Sequence, residues 1–231
     1  MTKLLVMAIR RIAIPGFFSE SAAVIQRRPF RYSGTDGDVV RLEKLLRDGL
    51  RAAEFFPIGR LAVLNLACGR ADETGALAAA LAPAEIGFYL GIDLRADAIA
   101  EAKVRWGLPD GEIEFRAGDA AATDRMRLLP EFNFIFIRHQ NYWNEPTIWD
   151  RLLANALGKL KADGLLVCTS YFDREHELLL AALKTRGAEL VANLRHAASR
   201  KLPEGKEKSV DRHLAIFRRG EEITLQPRLA E

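Results

Sequence analysis

The sequence predicts an α/β protein built on a parallel sheet, and three observations carry that prediction. From residue 61 onward, short β-rich runs alternate with amphipathic helical stretches, the rhythm of βαβ units. One of the runs, Phe132 to Ile137, is almost wholly apolar, as a central strand covered on both faces requires. The chain has 231 residues, 49% of them apolar and 28% charged, and so can bury a full core without disulfide or metal staples.

The elements follow in order. Residues 37–56 form an amphipathic helical stretch with Val40, Leu42, Leu45, Leu46, Leu50 and Phe55 as its expected buried stripe, packed beside the first strand. That strand is Leu61 to Leu66. Asp72 to Leu81 is Ala-rich and helix-favouring, with Asp72 placed to cap the free amides of the first turn. Phe88 to Ile92 is the second strand, and Asp97 to Trp106 a helix with Ile99, Ala102 and Trp106 on one face. Glu112 to Ala117 alternates, putting Ile113, Phe115 and Ala117 on one side of a third strand. After the fourth strand, Phe132 to Ile137, Pro146 suits a first helical turn. Ile148, Trp149, Leu152, Leu153, Ala156, Leu157 and Leu160 then recur at helical spacing. Gly164 to Thr169 is a fifth strand, and Glu175 to Arg186 a helix ended by Gly187. Glu189 to Arg195 and Arg212 to Arg218 are two closing strands joined by a basic loop, Ala197 to Val210. No repeat or long Pro/Gly-rich linker divides the chain, so residues 37–220 are expected to form one domain, with 1–36 an accessory arm and 221–231 a tail.

Composition excludes several classes. With 34 Lys and Arg against 31 Asp and Glu, the formal charge of +3 is too small for the footprint of a dedicated nucleic-acid binder, so nucleic acid is not indicated as a partner. No stretch approaches the ~20 consecutive apolar residues that cross a bilayer, and no membrane role is expected. The arm carries Lys3, Arg10, Arg11, Arg27, Arg28 and Arg31 between apolar clusters, but Arg10 and Arg11 interrupt the apolar run, unlike a signal peptide. Cys68 and Cys168 lie far apart inside apolar runs, which excludes a disulfide scaffold and points to the cytoplasm. His196 and His213 lack ligand spacing, so no metal is expected.

Three features carry a function. Val63 to Ala71 is a strand running into a tight turn of small residues and then a helix, where a ligand can approach the backbone closely. Asp93 ends the second strand, where a carboxylate can accept hydrogen bonds from ribose hydroxyls, and Gly118-Asp119 ends the third. In an open parallel sheet the carboxyl ends of three consecutive strands meet at one crevice.

On these residues the sequence, from 61 to about 218, resembles the class I S-adenosylmethionine-dependent methyltransferases. The resemblance implies a Rossmann-like methyltransferase fold, a seven-stranded, mostly parallel sheet with its last strand antiparallel and helices on both faces. The family's acidic residue and Gly-x-Gly-x-Gly turn fall on Asn65, Ala67, Gly69 and Ala71, so only the middle glycine is kept. Its ribose-binding acid falls on Asp93 and its adenine-binding acid on Asp119, with Gly118 as a turn glycine and Leu94 and Ala120 packed against the adenosine. Asp72 either meets the cofactor's ammonium group or caps its helix, and Cys68 and Arg138 complete the implied cofactor site. A nicotinamide dehydrogenase fits less well. Its Gly-x-Gly-x-x-Gly cradle would meet Arg70, Ala71 and Asp72, and Asp72 against a pyrophosphate is electrostatically unfavourable.

The acceptor side is expected in Arg138 to Asn144, after the fourth strand, with His139, Asn141 and Tyr142 as candidate catalytic residues. It is not Asp-Pro-Pro-Tyr, the signature for exocyclic base amines. His139 either deprotonates the acceptor or is held by backbone hydrogen bonds. Tyr142 and Trp143 either stack on substrate or pack under the next helix, and Tyr171 and Phe172 raise the same choice. Phe30 to Gly37 suits a capping arm. The basic loop, with Arg200, Lys201, Lys206 and Lys208, is expected to be a solvated surface. The expected activity is methyl transfer from S-adenosylmethionine to an unidentified, preferably small-molecule acceptor. The alternative is a non-catalytic module of the same fold that binds cofactor or a protein.

Overall fold

The computed structural model describes residues 36–106, 112–126, 128–203 and 207–220. The arm expected over 1–36, apart from Asp36, and the tail expected over 221–231 lie outside them. In chain order the elements are α1 (Asp36–Ala52), β1 (Arg60–Leu66), α2 (Thr74–Leu81), β2 (Glu85–Asp93), α3 (Ala96–Trp106) and β3 (Ile113–Ala117). A 3₁₀ turn (Ala120–Arg125) precedes β4 (Phe132–Ile137), α4 (Pro146–Gly158), β5 (Leu160–Ser170), α5 (Asp173–Thr185), β6 (Ala188–Arg195) and β7 (His213–Arg219).

The strands form one sheet in the order β3-β2-β1-β4-β5-β7-β6. All pairings are parallel except those of β7, which runs antiparallel to both β5 and β6. Alternation along each strand builds a core on each face. Val63, Tyr89, Phe134, Phe136, Val167 and Ile216 pack on one side with apolar residues of α1, α2 and α3. Leu64, Leu66, Ile92, Ile135, Ile137 and Phe217 pack on the other with α4, α5 and the 3₁₀ turn. From β1 the chain winds outward to β3 and then returns to β4 on the other side of β1. The loops after β1 and β4 therefore part, leaving the crevice where ligands bind such sheets.

Several expectations are corrected. Helix α1 packs over β6 and β7 rather than beside β1. A Cβ on its Gly49 would lie 2.5 Å from Leu214 Cδ2 and 3.1 Å from Ile216 Cδ1, a backbone approach that only glycine permits. Val39 takes the buried place expected of Val40, which is 67% exposed, and Ala117 is exposed at the end of β3. Strands β2 and β5 begin earlier than their apolar runs, because main-chain pairing of Arg60 with Glu85 and of Phe132 with Leu160 sets their ends. Among the described residues no helix is long and apolar enough to cross a membrane.

Candidate functional site

A cleft of about 520 Å³ opens at the carboxyl ends of β1 and β4. Ala67, Cys68, Gly69, Arg70, Asp72 and Glu73 line it from the turn after β1, Arg95, Asp97, Ala98 and Glu101 from the start of α3, and Arg138, His139 and Tyr171 from the loops after β4 and β5. In that turn Ala67, Gly69 and Ala71 all have left-handed backbone, with φ of 54°, 54° and 55°. The two alanines thus hold a backbone that glycine adopts freely, at a steric cost of about 1–2 kcal/mol each. Burial, with Glu73 and Asp93 close by, pushes the Cys68 thiol far up, so it stays protonated and unreactive.

Asp93 lies beneath this turn, only 5% exposed. Its Oδ2 accepts the Gly69 amide at 2.7 Å, and its Oδ1 accepts the Arg95 amide at 2.9 Å and Arg95 Nε at 3.0 Å. Burial alone would raise its pKa. The Arg95 guanidinium and the two amides outweigh that and hold the carboxyl below its ordinary range.

Asn65 is fully buried under the cleft and donates through Nδ2 to Glu73 Oε1 at 2.6 Å and to the Tyr89 hydroxyl at 2.9 Å. Thr74 Oγ1 donates to the Ala71 carbonyl, so the Tyr89 hydroxyl, 3.1 Å away, donates to Thr74. Burial pushes Glu73 above the ordinary carboxyl range, against the pull of Arg138. Asp72 lines the cleft but is not the helix cap, and its Oδ1 is engaged by an arginine. Helix α2 begins at Thr74 with Glu73 as its uncapped N-cap residue, while Asp72 is bound by Arg105 of α3. The buried acid that accompanies the neutral Asn65 is therefore Glu73.

Behind the cleft Arg138 is paired bidentately with Asp211, Nε to Oδ1 at 3.1 Å and Nη2 to Oδ2 at 2.7 Å, and its Nη1 lies 3.8 Å from Glu73 Oε2. Asp211, 1% exposed, also accepts the Thr169 hydroxyl at 2.9 Å and lies 2.8 Å from His139 Nε2. Burial works against its charge, but His139 and Arg138 hold the carboxyl far below its usual range. The backbone N–H of Asp211 is also 3.2 Å from the same Nε2. The two contacts demand opposite tautomers. The shorter, charge-assisted bond decides, because a lone pair facing a carboxylate oxygen at 2.8 Å would be repulsive. Nε2 therefore carries the proton, and Nδ1 has no partner among the described residues. The His139 ring stacks on Tyr171 with centroids 3.9 Å apart, and its backbone is left-handed, with φ of 56°.

The basic loop is exposed at Arg200, Lys201 and Lys208, as expected of a solvated surface, and is also tied down as a strap; its residues 204–206, which include Lys206, lie outside those described. Val210 N donates to the Arg200 carbonyl, Ser209 N to the Tyr171 carbonyl, and Arg200 is paired with the buried Asp38 of α1 at 2.6 Å. Tyr171 is held from the other side by Glu175, whose Oε2 accepts its amide at 2.6 Å. Burial pushes Glu175 up to about 7. An acid whose pKa is raised on folding favours the native state less as pH climbs from its unfolded value, about 4.3, through the folded one. Glu175→Gln is expected to match the parent below about pH 4 and to exceed it above pH 7 by up to about 3 kcal/mol, read from urea denaturation midpoints.

Of the residues expected at the cofactor, Ala67, Cys68, Gly69, Asp72 and Arg138 line the cleft. Leu94 is 73% exposed beside Asp93. Asn65 lies below the cleft, and Gly118, Asp119 and Ala120 are outside its lining. Asp119 Oδ1 caps the 3₁₀ turn through Ala121 N at 2.8 Å, and its Oδ2 holds Arg151 at 2.8 Å. Of the three residues expected to be catalytic, His139 is in the cleft. Asn141 is exposed outside its lining, and the Tyr142 hydroxyl donates to Asp150 at 2.9 Å while its ring packs on the α4 side of the core. Sequence reasoning missed Glu73, Arg95 and Asp211. Asp211, 73 residues from its Arg138 partner, leaves only an acid in a basic loop as its trace.

No protein-family model matches the chain, and a search of curated proteins finds no match. Solved structures do match. The N-methyltransferase NodS from Bradyrhizobium japonicum superposes with a TM-score of 0.59 at 21% identity, covering 81% of this chain and 99% of that one. A S-adenosylmethionine-dependent methyltransferase from Clostridium acetobutylicum gives 0.59 at 12% identity, covering 81% and 94%. A TehB-like SAM-dependent methyltransferase from Corynebacterium glutamicum gives 0.51 at 19%, covering 81% and 98%. Together with the strand order and the single antiparallel strand, these likenesses establish that the chain has the Rossmann-like methyltransferase fold.

Proposed function

We propose that this chain transfers a methyl group from S-adenosylmethionine to a small-molecule acceptor, in the cytoplasm, where its two buried free thiols stay reduced. The observation that carries the proposal is the Asp93 carboxylate at the end of β2, outside the cleft's lining but bonded to the amide of Gly69, which lines it. The residues suit the cofactor. A carboxylate there accepts ribose hydroxyls, Gly69 presents bare backbone, the exposed Leu94 offers an apolar surface to a base, and Glu73 favours a cationic end. Arg138, fixed by Asp211, lies 3.8 Å from Glu73 Oε2 and steadies that acid from behind.

When bound, the cofactor supplies an electrophilic methyl on a sulfonium. The chain's share is alignment and the handling of one proton, since in-line displacement gains most from positioning. His139, with Nε2–H held by Asp211, presents the basic lone pair of Nδ1, and the stacked Tyr171 ring fixes the imidazole plane. Calorimetric titration of the full chain with S-adenosylmethionine, S-adenosylhomocysteine and NAD tests the proposal. Binding of the first two and not of NAD is expected. Asp93→Ala should weaken that binding at least about fivefold, through loss of a buried acceptor. An unchanged dissociation constant removes Asp93 from the site, and no binding of any ligand overturns the proposal.

A further inference from the structure

The side chain of Arg95 lies across the ground that a ligand of Asp93 must use. A Cβ built on Gly69 would come within 2.7 Å of Arg95 Nη2, so the guanidinium covers the bare face of that glycine. The same guanidinium donates to Asp93 through Nε at 3.0 Å, with Nη2 at 3.5 Å. A carboxylate offers roughly four acceptor positions. On Asp93 two are taken by the backbone amides of Gly69 and Arg95, which the fold fixes, and the other two face the guanidinium. A vicinal diol needs two. It can gain them only where Arg95 now sits.

We propose that Arg95 is a specificity-determining residue of the cleft, an internal competitor that a ligand must displace from Asp93 to enter. This rests on the proposed cofactor function. The arrangement makes displacement feasible, because Asp93 is buried and held by two backbone amides whereas the Arg95 side chain is 66% exposed and can swing into water. A competitor of this kind lowers apparent affinity by the fraction of molecules in which it is bound. It also selects, since a ligand that offers only apolar or single-point contacts cannot replace the fork of hydrogen bonds that Arg95 gives up.

The test is calorimetric titration of the full chain with S-adenosylhomocysteine, comparing the parent with Arg95→Ala and Arg95→Lys. An exposed ion pair is worth up to about 1 kcal/mol, so Arg95→Ala should bind up to about fivefold more tightly. Arg95→Lys, which keeps the charge but loses the fork, should lie between. Thermal denaturation of each variant without ligand verifies that the fold is kept. Equal or weaker binding by Arg95→Ala, with the parent binding normally, overturns the competitor role and leaves the cofactor function standing. No binding by any of the three overturns both.

Discussion

Asp211→Ala should cost about 3–5 kcal/mol of folding stability at pH 7, a large part of what a domain of this size possesses. Asp211 is the partner of Arg138, whose side chain is 12% exposed. Without it the guanidinium stays buried and charged, and Glu73 Oε2, 3.8 Å away, is too far to replace two hydrogen bonds. Thr169 and the Nε2–H of His139 lose their acceptor as well. Urea denaturation of parent and variant measures the difference. The sign of its pH dependence follows from a carboxyl held below its usual range. The stabilisation is complete above the unfolded value, near 3.9, and is lost only as pH falls from there toward the folded one. The gap should stay constant from pH 5 to 8 and close in acid. A difference under about 1 kcal/mol at pH 7 would show that Asp211 does not hold the charge of Arg138.

Asn65→Asp should destabilise the protein by about 4 kcal/mol at pH 7. The Asn65 amide nitrogen is 2.6 Å from Glu73 Oε1, and both residues are buried. Two carboxylates at that distance cannot both ionise, so the pair must keep one proton. Holding a proton at pH 7 on a carboxyl with ordinary pKa near 4 costs about three units at about 1.4 kcal/mol each. Because the pKa is raised on folding, the loss grows as pH rises above about 4 and nearly vanishes below it. Denaturation midpoints at pH 4 and pH 7 separate the cases. A loss independent of pH would mean that steric disturbance, rather than charge, is responsible. Asn65 is thus suited to its place, a neutral donor to a neighbouring buried acid.

How much of this was legible beforehand differs from residue to residue. Phe132 to Ile137 has the same bounds in sequence and structure, because a strand buried on both faces leaves a continuous apolar run. Ile99, Ala102 and Trp106 are buried on one face of α3 as their spacing requires. Gly69 and Asp93, read as parts of one crevice, are joined by a 2.7 Å hydrogen bond. The placement of α1 was not legible, since its stripe states that a face is buried but not against what. Nor was the duty of Asp72, because Arg105, its partner, lies 33 residues away on another helix.

The sequence by itself determined the elements, their α/β alternation and the strand ends at which a site could form. These follow from the period of apolar residues and from turn chemistry, both local properties of the chain. Only the tertiary structure decided which charges meet. Asp211 reaches Arg138 and His139 through an ordered strap, Glu73 rather than Asp72 becomes the buried acid, and Arg95 takes the free side of Asp93. A buried charge must find its partner wherever the fold supplies one, and that pairing is set by distance in space, on which residue type and spacing are silent.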